Sequence, residues 1–137
     1  MSFLPPGSRE LFTEWHGLRE SIAPLIGERA LTLFSFTIAN EDQCPATESY
    51  FRAALVAVGD DPEHPQVTET EQLLIDWGRQ IVTSPNAISL EFSERIEHAF
   101  RPECRLAILR FAGQLIAANR LFSAGKMPLT DQLAAPA

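Results

Sequence analysis

Cys44-Pro45-Ala46-Thr47 places a thiol at an expected helix start, three positions before a threonine where a dithiol enzyme carries its second cysteine. A thiol at a helix N-terminus meets the positive end of the helix dipole and free backbone donors, and both favour the nucleophilic thiolate. Glu41, Asp42 and Glu48 surround it with negative charge, which opposes ionisation. Cys44 therefore reads either as a reactive thiol or as a small apolar residue packed in a pocket. Thr47 would need an adjacent base to act as a nucleophile, and no histidine lies within one helical turn of it in sequence, so its hydroxyl is expected to bond backbone near the helix start.

Other chemistry-bearing residues are scattered. Cys104 follows Pro102 at a second helix start, and its mostly apolar helix assigns it to packing. His16, His64 and His98 have no metal-ligand spacing to one another or to a cysteine, so neither a metal nor a cofactor is expected. Asn119-Arg120 is a polar pair late in an apolar helix and must find partners if buried. An acidic residue on a neighbouring helix or subunit would satisfy Arg120; the alternative is a small anionic ligand. No Gly-rich phosphate loop, G-x-S-x-G elbow or paired-carboxylate motif occurs.

The elements that must position these residues read as helices, because apolar residues recur at three and four positions and no stretch alternates with period two. The first helix is expected after Ser8, with Leu11, Phe12, Trp15, Leu18 and Ile22 on one face, ending before Pro24. The second, about 25–39, is apolar nearly all round. The third opens at Cys44-Pro45 and carries Phe51, Ala54, Leu55 and Val58 inward, before a loop over 59–66. A fourth covers about 68–83, Ser89 caps a short fifth, and Pro102 opens a last helix reaching about Ala124 with apolar residues on every side. Such a helix is central or shared between subunits. The expected architecture is a single all-α domain of about six helices over 1–137, with its core at about 8–125 and a short flexible tail at 126–137.

At 137 residues, folding removes roughly 65–70% of the unfolded chain's surface from water, enough for a real core. Eighteen acidic against eleven basic residues give a net charge of -7, and without a basic patch this disfavours nucleic acid and anionic membranes. Met1-Ser2-Phe3-Leu4-Pro5-Pro6-Gly7 lacks the pattern of a secretory signal, and the run from Leu106 to Phe122 is too polar to span a bilayer alone. A cytoplasmic location with both cysteines as thiols is expected.

The succession Ile38-Ala39-Asn40, Cys44-Pro45-Ala46-Thr47, Tyr50-Phe51-Arg52-Ala53-Ala54-Leu55, then Thr68 to Trp77, Ser89 to Phe100 and Asn119-Arg120-Leu121-Phe122 resembles the carboxymuconolactone decarboxylase superfamily, in its alkylhydroperoxidase AhpD-like and peroxidase-related branch. The resemblance covers about 28–129 and implies an AhpD-like helical bundle. In that branch a glutamate, two cysteines and a histidine form a proton relay: a thiolate attacks peroxide and a second thiol resolves the sulfenic acid. Matched onto this chain, the cysteines fall on Cys44 and Thr47, the histidine on Phe51, and the glutamate on Thr32, or Ala30 with a local insertion. Glu28 is the nearest upstream acid. The resemblance thus implies catalytic positions at Cys44 and Thr47 in a degenerate C-x-x-C. If active, the chain would be a one-cysteine, thiol-dependent peroxidase-like oxidoreductase using an external thiol. The alternative is a non-catalytic oligomeric module binding a small molecule or protein. Lactone decarboxylation is a third reading, with no acid or base assigned. Relatives of this kind assemble as dimers, trimers or hexamers, so a homo-oligomer is implied.

Overall fold

The computed structural model describes residues 8–125, with side chains from residue 13 onward. Six helices follow in order: α1 (Ser8–Ile26), α2 (Glu28–Glu41), α3 (Pro45–Ala57), α4 (Glu69–Thr83), α5 (Leu90–Ala99) and α6 (Pro102–Ser123). Among the described residues there is no strand, and the helices form one all-α domain. The tail expected at 126–137 lies outside the described residues.

Local chemistry explains most helix boundaries. Thr68 caps α4 through a reciprocal box, its hydroxyl accepting from Glu71 N at 3.1 Å while Glu71 Oε1 accepts from Thr68 N at 2.9 Å. The Ser89 hydroxyl accepts from Phe92 N at 3.1 Å, and Pro45 and Pro102 open α3 and α6 where no donor is needed. Pro24 departs from expectation by lying inside α1. It removes only the donor that would reach the Glu20 carbonyl, on an exposed side where water can substitute. The break comes at Gly27, whose φ of 94° cannot continue a helix, so α2 begins at Glu28 rather than 25.

α2 holds the central place, packing on α1, α3, α4 and α6. Its residues from Ala30 to Ala39 are buried except Thr32, as its all-round apolar pattern predicts. Where α2 meets α4, a Cβ on Gly78 would stand 3.2 Å from Phe34 Cδ1. Trp15, Phe34 and Phe111 join α1, α2 and α6 in the core, with ring centroids 5.5 Å apart for Trp15–Phe111 and 6.4 Å for Phe34–Phe111. α6 buries one side through Ile108, Phe111, Leu115, Asn119 and Phe122. Val58 corrects the sequence reading: it is 71% exposed because, as the C-cap of α3, it leaves the helical register that points Phe51 and Leu55 inward. Among the described residues no helix is long and apolar enough to cross a membrane.

Candidate functional site

Three consecutive residues between α2 and α3 build the site. α2 closes with Gln43 N donating to Asn40 O at 3.2 Å and Cys44 N to Ala39 O at 3.1 Å, the paired bonds of a Schellman turn. That turn needs a left-handed residue, and Gln43 takes it with φ 56° where glycine is preferred. Cys44 is then both the last residue of this turn and the N-cap of α3. Asp42 precedes the turn as C-cap of α2, where a negative charge opposes the helix dipole.

What holds Asp42 there is α6. Its carboxylate accepts from Asn119 Nδ2 at 2.9 Å and from Arg120 Nη1 at 2.7 Å, with the Asp42 side chain 4% exposed. Since a carboxylate can only accept, Asn119 must turn its amide nitrogen toward Asp42 and its Oδ1 toward α3. There the Thr47 hydroxyl donates to Asn119 Oδ1 at 2.6 Å, and the Cys44 thiol lies 3.8 Å from the Asn119 main-chain oxygen, a long, weak donation. Cys44, Thr47 and Asn119 are all essentially closed to solvent.

The structure thus brings Cys44, Thr47, Asn119 and Arg120 together and adds Asp42. Thr47 corrects expectation: its hydroxyl bonds a side chain 72 positions away, not local backbone. An amide oxygen is no general base, so this partner orients the hydroxyl without activating it. Arg120 pairs with an acid on a neighbouring helix, as its position suggests. In sequence Asp42 reads only as one of the negative charges around Cys44; nothing local points to α6.

The relay positions are otherwise occupied. Phe51 is buried between Trp15, 6.4 Å away, and Tyr50, 5.0 Å away. The Thr32 hydroxyl bonds back to Glu28 O at 2.9 Å, Ala30 is buried, and the Glu28 carboxylate pairs with Arg19 at 3.2 Å. His16 is buried beside Trp15 at 5.1 Å, while His64 and His98 are exposed. Among the described residues no three His, Cys, Asp or Glu side chains gather as a metal site. Cys104 is half-buried in a cleft of about 420 Å³ with Leu25, Phe100 and Arg101; burial, then Glu103, pushes its thiol up.

Two hollows adjoin the site. A shallow one of about 260 Å³ is lined by Ala39, Gln43, Cys44, Pro45 and Glu48. A groove of about 270 Å³ runs between α2 and α4, with Leu33, Phe36 and Ile75 in its lining, Glu41 and Arg79 paired at 3.2 Å, and Pro62 and Pro65 over one side. The segment carrying these prolines is pinned twice. Arg29 donates to both Asp60 oxygens at 3.0 Å, to Glu71 at 2.7 Å and to the Gln66 carbonyl; Arg52 pairs with Glu63 and Glu48 and lies 5.3 Å over the Phe36 ring. The Arg29 guanidinium, chiefly through its hydrogen bonds, holds the Asp60 carboxyl below the usual carboxylate range.

Compared with protein-family models, curated proteins and solved structures, the chain matches none.

Proposed function

We propose that this chain is a non-catalytic, homo-oligomeric binding module on an AhpD-like scaffold, in which the former redox position serves as a structural clamp. The observation that carries this reading is the state of Cys44: 1% exposed, with its weak donor directed at a main-chain carbonyl beside a threonine committed to an amide. A peroxidase thiol must ionise, meet its oxidant and be resolved by a second thiol. Thr47 stands where the second cysteine would be and Phe51 where the histidine would be, so the resolving thiol and the relay imidazole are both missing from their positions. The α2–α4 groove offers a small ligand or peptide segment a mainly polar surface, able to give and accept hydrogen bonds, over the buried Leu33, Phe36 and Ile75.

The shallow hollow against Cys44 favours the second reading, a one-cysteine thiol peroxidase resolved by an external thiol, because it offers a path to within a side chain of the sulfur. Alkylation separates the two. As a clamp, Cys44 reacts only after local opening, on the order of 100-fold or more slowly than the same thiol in the unfolded chain, and peroxide leaves no sulfenic acid. Fast alkylation of the folded protein with peroxide-dependent sulfenic acid at Cys44 would overturn the module reading. Thr47→Cys combined with Phe51→His gives the converse check: peroxidase activity arising only in that double variant fits an intact scaffold with a lost relay.

A further inference from the structure

The outward side of α6 is not the polar surface a monomer needs. Leu106, Leu109, Arg110, Gly113, Ala117 and Arg120 recur at three- and four-residue steps and fall within an arc of about 100°. Leu106 is 61% and Leu109 44% exposed. Beside it, α1 presents Thr13, Glu14, Gly17, Glu20, Ser21 and Pro24 at the same steps, all exposed. Glu14 reaches Arg110 at 3.8 Å, which joins the two stripes into one two-helix face. Among the described residues, a Cβ at Gly17 or Gly113 would meet nothing within 4 Å. Glycine weakens a helix relative to alanine, and here no contact within the described chain calls for it.

We propose that this face is a twofold interface with a second copy of the chain, α6 of each copy lying on α1 of the other. This deepens the oligomeric part of the proposed function and is independent of whether Cys44 reacts. The choice of a second copy rests on charge. The α1 stripe carries Glu14 and Glu20 without a cation, and the α6 stripe from Leu106 to Arg120 carries no acid but two cations, Arg110 and the Arg120 that already bonds Asp42. A face divided in this way complements itself once turned about an axis along the helices. Register follows from the pairing of α1 with α6 within one chain. Trp15 meets Phe111 and Glu14 meets Arg110, while Leu25 shares a cleft with Cys104, so the helices run antiparallel with Gly17 level with about residue 109. The same levels across the twofold axis set Leu109 over Gly17 of the second copy, Leu106 over its Ser21, and Arg110 against its Glu14. Large apolar side chains thus meet the glycine and serine that leave room for them, and Arg110 of each copy meets Glu14 of the other.

Light scattering and sedimentation of the full chain test this. The expected mass is twice the 15.2 kDa of one chain. Gly113→Leu adds a side chain where the protomer has open space, so its helix content and melting should hold or improve while the dimer weakens by at least about 30-fold. Arg110→Glu should also dissociate it, with Arg110→Glu plus Glu14→Arg restoring association. An oligomer unmoved by Gly113→Leu and Arg110→Glu overturns this face while leaving an oligomeric module in place. A full chain that stays monomeric at several hundred micromolar overturns both.

Discussion

The bond between Thr47 and Asn119 can be tested as a coupling rather than as two separate losses. Thr47→Val keeps the side chain's shape, removes the hydroxyl, and leaves Asn119 Oδ1 buried without its donor at 2.6 Å; a stranded buried acceptor costs about 1–2 kcal/mol. Asn119→Leu is of similar volume but takes away the Thr47 acceptor together with one of the two donors to Asp42. A hydrogen bond to a charged group contributes about 1.5–3 kcal/mol, and with Thr47 stranded as well the single variant should lose about 3–4 kcal/mol. Arg120, 60% exposed, keeps its own bond to Asp42 and limits the damage. In the double variant the Thr47–Asn119 bond is lost only once and no hydroxyl is left unpaired. Its cost should therefore fall below the sum of the singles by about 1.5 kcal/mol, well outside the ~0.5 kcal/mol scatter of independent sites. Urea unfolding followed by the fluorescence of the buried Trp15 and Trp77 reads all four proteins. Additive losses, or a Thr47→Val cost below about 0.5 kcal/mol, would refute the clamp.

Three further outcomes follow from local geometry. Gln43→Gly relieves the left-handed φ of 56° and should raise stability by about 0.5–1 kcal/mol, seen as a higher urea midpoint, because the steric relief exceeds the entropy glycine adds to the unfolded chain. Gly78→Ala should cost about 1–2 kcal/mol despite better helix propensity, since its Cβ would press on Phe34 at 3.2 and 3.3 Å; Gly113→Ala, with open space, should not. Asp60 is held below its unfolded value, so the stability it lends is complete above about pH 4 and disappears as pH falls through its lower folded value. Asp60→Asn should therefore be less stable than the parent protein at pH 7, with the gap in urea midpoint narrowing as pH falls below about 4.

Helix number, type and most caps were legible because their causes are local. Ser89, Pro45 and Pro102 each act within four residues, as does the Thr68–Glu71 box that the structure adds to the helix expected from about 68. The α1–α2 break was misplaced because proline is the stronger breaker by type, while the outcome turned on which carbonyl lost its donor and on the φ adopted by Gly27. At the site, sequence identified Cys44 and Thr47 and marked Asn119-Arg120 as needing partners. That these are each other's surroundings was not legible: 72 positions separate Thr47 from Asn119, and no periodicity spans that distance.

The clamp also orders events during synthesis. Residues 8 to 57 hold α1, α2 and α3, yet Asp42 finds its amide and guanidinium partners only at Asn119 and Arg120. Until α6 leaves the ribosome, the nascent bundle must keep the Asp42 carboxylate in water and the α2–α3 junction open, so closure waits for almost the last helical turn. The same dependence is a form of proofreading: a chain cut before residue 119 retains most of its apolar residues but cannot bury Asp42 with its partners. It would present an exposed junction for quality-control proteases to recognise.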